Sequence, residues 1–207
     1  MSNHIDKIIY INMDKRQDRK IEIEHELQSM NLFTKCERFV GIETQTCGII
    51  GCTKSHLEVL KIAKQRNYKN VLILEDDFMF LVSKEILEDE LQCFFTSIEQ
   101  SSFDICMLSY NLIHGEPISN NTKLIKAMEV QTASGYIVNA SFYDALIILY
   151  EENIPLLENT QMHWLYANDQ CWKKLQPQSN WYCFQRRLGK QRAGFSDNSK
   201  EIMDFGC

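Results

Sequence analysis

The sequence predicts an α/β protein: a Rossmann-type, mostly parallel sheet flanked by helices. Three observations carry this. Strand-like and helix-like segments alternate through the first 77 residues, the strand–helix–strand–helix–strand order that builds a parallel sheet with right-handed crossovers. Val71-Leu72-Ile73-Leu74 is an unbroken apolar run, of the kind buried on both faces in the middle of such a sheet. That run ends in Glu75-Asp76-Asp77, and ligands bind at the carboxyl ends of strands in open α/β sheets.

Each element has its own signal. Lys7 to Met13 is rich in β-branched and aromatic residues and reads as a strand. The charged stretch Asp14 to Arg19 breaks it, and Ile23, Leu27 and Met30 then recur at helical spacing, predicting a helix over 16–30. Cys36 to Ile42 is a second strand, Gly48 to Gly51 a turn, and 53–66 a helix with Leu57, Leu60 and Ala63 on one face. The strand over 70–75 follows. Residues 84–99 present Ile86, Leu87, Leu91, Phe94 and Phe95 inward from a helix, and Phe103 to Leu108 is the next strand. His114 to Thr122, with Gly, Pro and paired Asn, reads as a loop. Strands over 124–131 and 135–138 and a helix over 140–152 complete the regular part; the last fifty residues are rich in Trp and Tyr. No Pro- or Gly-rich linker interrupts the chain, so 1–207 is expected to form one domain.

Composition narrows the function. A net charge of -6 speaks against a nucleic-acid partner, which calls for a basic surface. None of the eight cysteines makes a C-x-x-C pair, so neither a zinc ribbon nor a thioredoxin-like motif is written. The amino terminus lacks the pattern of a signal peptide and no apolar run is long enough to span a membrane, so free thiols in a cytoplasmic protein are expected.

The strand end carries the most chemistry. Three carboxylates held close repel one another and resist desolvation, and a divalent metal carrying a phosphorylated ligand relieves both. Strand alternation sets Glu75 and Asp77 on one side and Asp76 on the other; Asp77, furthest out, is the best-placed metal ligand, with Glu75 beside it. A solvated acidic turn is the simpler alternative. At the end of the first strand and the turn that follows it come Asn12, Arg16 and Arg19, the two arginines sharing a face at a helix start, which suits an anionic diphosphate or a base edge; a solvated helix start is equally compatible. Lys54, Ser55 and His56 follow Gly51 at another helix start, where they either help cradle phosphate or form a helix cap with a partly buried histidine. The spacing is not that of a Walker A loop. Ser134-Gly135 are small enough to let a ligand or another segment of chain approach closely. Asp169 lies in the aromatic stretch Trp164 to Gln170, which makes it either a general base of raised pKa or a helix N-cap. The only dense basic run, Gln185 to Asp197, either closes over a diphosphate, binds nucleic acid or is a solvated tail.

Together these segments resemble glycosyltransferase family 25, which includes lipooligosaccharide and collagen galactosyltransferases. The resemblance rests on I-Y-I-N-M-D-K-R-Q-D-R from Ile9 to Arg19, G-C-x-x-S-H from Gly51 to His56, L-I-L-E-D-D from Leu72 to Asp77, T-A-S-G-Y-I-V-N from Thr132 to Asn139, N-D-Q at 168–170 and Q-R-A-G-F-S-D from Gln191 to Asp197, in the family's order over nearly the whole chain. It implies a GT-A-like fold, a UDP-sugar donor (UDP-galactose or a related UDP-hexose), Mn2+ (or Mg2+) dependence, inversion at the anomeric carbon, and a glycan or hydroxylated-protein acceptor. It also implies that Asp77 binds the metal and Asp76 the donor's ribose. Single displacement then needs a base opposite the leaving group, for which Asp169 stands first and Asp197 second. A nucleotidyltransferase sharing sheet, carboxylates and metal, and a binding module without catalysis, are the rival readings.

Overall fold

The structure is a computed structural model, and it describes residues 4–98, 103–119, 121–195, 201–204, 206 and 207. The first half follows the expected alternation: β1 (Lys7–Asn12), α1 (Gln17–Ser29), β2 (Cys36–Val40), α2 (Gly48–Gln65) and β3 (Asn70–Glu75). Then come β4 (Phe78–Phe80), α3 (Lys84–Ser97), β5 (Ile105–Met107), β6 (Asn111–Ile118), β7 (Asn121–Gln131), β8 (Gly135–Asn139) and α4 (Tyr143–Thr160). The chain closes with one-turn helices α5 (His163–Tyr166) and α6 (Asn168–Cys171), then β9 (Trp181–Phe184), β10 (Gly189–Gln191), β11 (Gly194–Phe195) and β12 (Ile202–Met203).

Eight strands form one sheet in the order β2-β1-β3-β8-β5-β9-β7-β6. β1 pairs in parallel with both β2 and β3, and β5 with β9, whereas β8 and β7 are antiparallel to their neighbours. The α/β class is as expected: six strands share a direction and two oppose it, so the sheet is mixed.

Period-two alternation splits the interior into two cores. Ile9, Ile11, Val71, Ile73, Tyr136 and Val138 face α2 and α4, where they meet Leu57, Leu60, Ala63, Leu146 and Tyr150. Ile8, Tyr10, Leu72, Leu74 and Ile137 face Ile23 and Leu27 of α1 and Leu87, Leu91 and Phe94 of α3. With both faces covered, β3 is buried from Asn70 to Leu74, as its unbroken apolar run requires.

Several expectations are corrected. Gly48 to Gly51 is not a turn but the first turn of α2. Gly51 is small because a Cβ there would lie 2.2 Å from the carbonyl oxygen of Ile42, so it marks close packing of helix on loop. The loop over His114 to Thr122 is largely strand: β6 and β7 form a hairpin whose β6 is mostly exposed, leaving little apolar alternation to read. Pro117 is tolerated because β6 is an edge strand. The helix expected over 140–152 begins at Tyr143, after a 3-10 turn, and runs on through Pro155 to Thr160, docked by buried Leu157.

The unforeseen pair β4 and β10 brings residues 189–192 back to the end of β3. Phe78 makes this junction. Its ring lies where a Cβ on Gly135 (2.4 Å) or on Gly189 (2.1 Å) would stand, so both glycines are demanded by one buried aromatic. Gly189→Ala is therefore expected to lower the urea midpoint with an unchanged denaturant slope, a loss of about 1–3 kcal/mol; an unshifted midpoint would show the ring to be free to move.

Candidate functional site

The three carboxylates at the end of β3 go to different partners. Glu75 keeps the parity of Val71 and Ile73 and points to the α2 face, where its Oε1 lies 3.0 Å from Nε2 of His56 and accepts a hydrogen bond from Sγ of Cys52 at 3.3 Å. Asp76 points to the α1 face, accepting from Nδ2 of Asn12 at 2.8 Å and Nη1 of Arg19 at 3.0 Å. Asp77 departs from the expected alternation because the strand stops at Glu75 and the chain turns. Its Oδ2 accepts from the same Arg19 Nη1 at 3.0 Å and from Nε2 of Gln191 at 2.9 Å. The metal-ligand candidates Glu75 and Asp77 thus lie close in the chain but engage different neighbours.

Asn12 and Arg19 both reach the acidic end of β3. Asn12 is buried at the end of β1 and also accepts from Nε of Arg38 at 3.0 Å, which fixes its amide for Asp76. Arg19 rises from the first turn of α1 and donates its other Nη to the carbonyl of Phe195 at 2.8 Å. Arg16 donates to Asp18 at 2.8 Å and to the Phe195 carbonyl at 3.3 Å, standing beside the site without touching the carboxylates of Asp76 and Asp77. The basic run therefore does come over the acidic cluster: Gln191 reaches Asp77, the Arg192 amide donates to the Asp77 carbonyl at 2.6 Å, and the Arg192 side chain is held by Glu26 at 2.8 Å.

Electrostatics sort the acids. Burial, then the neighbouring Glu75 charge, pushes Asp77 up to about 7. Burial also raises Asp76, against the opposing pull of Arg19. Burial works to raise Glu75 as well, but the hydrogen bond and charge of His56 outweigh it and hold its carboxyl below the ordinary value. Burial works to lower the Arg19 pKa, yet the Asp77 and Asp76 charges leave it above normal. Asp77 Oδ1 is buried with no hydrogen-bond partner among the described residues. A buried carboxylate oxygen without a donor, next to further carboxylates, fits a hard divalent cation such as Mn2+ or Mg2+.

Asp169 belongs to the same neighbourhood. It is half-buried on α6, and its Oδ2 accepts from the amide of Thr132 at 3.2 Å, across to the turn before β8. It is the second residue of α6 and not the N-cap, which is Ala167. Desolvation raises its pKa, and the Glu75 charge adds to the rise. Burial raises the Cys52 thiol well above normal, and the Glu75, Asp169 and Asp77 charges all contribute, which places this thiol amid the acids. α6 is pinned by the Asn168 amide on Thr53 Oγ1 (3.3 Å) and, just beyond it, by Trp172 Nε1 on the Val130 carbonyl (3.1 Å). Thr132 itself sits at a φ of 86°, an uncommon value for a β-branched residue, in the turn that presents its amide to Asp169. The second base candidate, Asp197, lies outside the described residues.

Other donor-binding candidates are placed elsewhere. On α2, Cys52 and His56 share a face, whereas residue 54 is rotated by about 200° from residue 52. Lys54 accordingly points to α4 and pairs with Glu158 at 2.6 Å, away from the carboxylates. Ser55 Oγ donates to the Gly51 carbonyl at 2.7 Å and accepts from the Ile42 amide at 2.8 Å, a structural tie. His56 is fully buried between Glu75 and Tyr136. Ser134 is buried, its hydroxyl on Ser109 at 2.5 Å and its carbonyl on the Glu75 amide at 2.9 Å, so it aligns the strand end. Gly135 makes room for Phe78. Sequence reasoning missed Cys52 and Arg38 as site residues and did not single out Gln191 within the basic run.

The domain thus carries a buried acidic cluster at the carboxyl end of a central strand, the edge at which open α/β sheets bind ligands. The chain belongs to glycosyltransferase family 25 (LPS biosynthesis protein), whose family model matches residues 39–160. No curated protein matches it significantly by sequence. Among solved structures, it is similar to the glycosyltransferase GlyE of Streptococcus pneumoniae TIGR4 (10% identity, TM-score 0.48, covering 88% of this chain and 46% of that one). It is also similar to a glycosyltransferase involved in glycosylation of the major capsid of PBCV-1 (7%, 0.45, 86% and 91%). A third is the mannose-1-phosphate geranyltransferase of Thermus thermophilus (6%, 0.48, 91% and 74%). At these scores the likenesses carry no functional inference. Among the described residues no helix is long and apolar enough to cross a membrane, and all eight cysteines are free.

The raised Asp77 has a consequence for stability. Its ordinary value of 3.8 applies to the unfolded chain and about 7 to the folded one. Between these the folded state keeps a proton that the unfolded state has lost, so stability falls as pH rises through the window. In chelator, the melting temperature of the protein is expected to drop between about pH 4 and about pH 7, and Asp77→Asn to flatten that drop. Superimposable pH profiles for the two proteins would remove Asp77 as its source.

Proposed function

We propose that this glycosyltransferase is a metal-dependent, inverting enzyme that moves a hexose, galactose or glucose, from a UDP-sugar to a hydroxyl of a glycan or of a hydroxylated protein. The single observation that carries this reading is the buried Oδ1 of Asp77, without a donor among the described residues and set beside Asp76 and its Arg19–Asn12 clamp.

Asp77 would hold the cation, Mn2+ or Mg2+, with Glu75 adding negative charge from the α2 side. Such a cation, when bound, neutralises charge that builds on the departing diphosphate. Asp76, its carboxylate fixed by Asn12 and Arg19, is poised to accept from the donor's ribose hydroxyls. Arg19, with Arg16 beside it, supplies guanidinium donors for phosphate oxygens. Asp169 takes the proton from the acceptor hydroxyl as that oxygen bonds to the anomeric carbon and the bond to the diphosphate oxygen breaks. Desolvation serves this role, since a carboxylate of raised pKa is a stronger base. The half-exposed setting of Asp169 leaves it accessible to an acceptor.

Nucleotide sugars with Mn2+ are expected to raise the melting temperature, UDP-hexoses most. Asp77→Ala should abolish metal-dependent transfer in a folded protein, and Asp169→Asn should lower kcat by about 100- to 10,000-fold with donor binding retained. Full activity in the first variant removes the metal assignment, and an unchanged rate in the second removes the base. Release of pyrophosphate from a nucleoside triphosphate, in place of UDP from a UDP-sugar, would make the enzyme a nucleotidyltransferase. Donor binding with no turnover, including no slow UDP-sugar hydrolysis, would make it a binding module.

A further inference from the structure

On the α2 face of the site, the Cys52 thiol and the His56 imidazole have no part in the proposed transfer, and Glu75 enters it only as a nearby charge. Cys52 and His56 are four residues apart on α2, so they rise from one face about a turn apart. Glu75 meets them from the end of β3. A thiol sulfur, an imidazole nitrogen and a carboxylate oxygen of these three residues all lie within 4.8 Å of one another. Glu75 Oε1 is the hub, 3.0 Å from His56 Nε2 and 3.3 Å from Cys52 Sγ.

Two features distinguish this group from a chance cluster of acids. The donor set is mixed: thiolate, imidazole and carboxylate suit a borderline-soft ion such as Zn2+ or Co2+, whereas Mg2+ and Mn2+ prefer oxygen alone. The imidazole is also braced from behind, with Nδ1 2.8 Å from the Tyr136 hydroxyl. Metal-bound histidines use their second ring nitrogen in this way to fix tautomer and orientation. Burial grades outward from fully buried His56 to half-buried Cys52 and Glu75, which leaves a route for an ion from solvent.

We infer that Cys52, His56 and Glu75 form a transition-metal site that takes Zn2+ through Sγ, Nε2 and a carboxylate oxygen, distinct from the cation proposed for Asp77. On binding, Cys52 gives its proton to solvent. The imidazole proton resides on Nδ1 and is donated to the Tyr136 hydroxyl. Three protein ligands leave one tetrahedral position for water or an exogenous ligand, the pattern of an open site.

Co2+ tests this directly, as a coloured substitute for Zn2+. The full chain is stripped with chelator and titrated with Co2+ in excess Mg2+, which fills oxygen-only sites. One equivalent is expected to bind with a near-ultraviolet thiolate-to-cobalt band, bleached by one equivalent of Zn2+. Cys52→Ser should lose the band. Tyr136→Phe keeps all three ligands and should weaken binding about 10- to 100-fold. Asp77→Asn should leave the band intact, which separates this site from the Asp77 reading. Wild-type protein with no such band at stoichiometric Co2+ overturns the inference without recourse to any variant and leaves the triad a hydrogen-bonded brace. A band that persists in Cys52→Ser assigns it to another thiol and overturns it equally.

Discussion

One guanidinium nitrogen holds the acidic end of β3 together. Arg19 Nη1 lies 3.0 Å from Asp76 Oδ1 and 3.0 Å from Asp77 Oδ2. Without it, two buried carboxylates would face each other across a turn of backbone, in a medium that penalises even one. The arginine comes from the first turn of α1, so the site is assembled only when that crossover helix packs on the sheet. This couples docking of Ile23 and Leu27 in the core to formation of the ligand-binding edge. The same guanidinium fastens the Phe195 carbonyl, which ties the far end of the chain to its beginning.

The acids around this arginine are differentiated by which face of the sheet they leave from. Asp76 is clamped by Asn12 and Arg19, Glu75 by His56 and Cys52, and Asp77 retains an oxygen without a donor among the described residues. One short strand end thereby offers a fixed acceptor, a braced anion and an open ligand within a few residues. Asp169 reaches the group from a different part of the chain, on α6, anchored by Trp172 and Asn168. An acid carried on a helix separate from the strand end is what the proposed two-substrate transfer calls for.

Much of this was legible in sequence. The apolar run over 71–74 and the charged break after Asn12 identified the central strands, because burial on both faces leaves a continuous hydrophobic signature. Asn12 and the acidic triplet could be found because they lie at the ends of strands, and Arg19 because it opens the helix that follows the first one. Most of β7 is legible, but its partner β6 is not, because an exposed edge strand has little to alternate. Lys54 and Ser55 turn away from the carboxylates because α2 begins at Gly48, so the α2 residues that meet Glu75 are His56, which the sequence singles out, and Cys52, which it does not. Gln191 meets Asp77 across 114 positions, and no local pattern encodes a contact of that span.

Glu75 and Asp76 are neighbours in the chain that serve opposite sides of the sheet. Their division of labour depends on counting residues from the start of β3, not on the identity of any one of them. An insertion or deletion of a single position within that strand would exchange the two carboxylates between α1 and α2, undoing every partnership at once. Evolution can rewrite the composition of this strand gradually, one apolar side chain for another. Its length, by contrast, admits no intermediate steps.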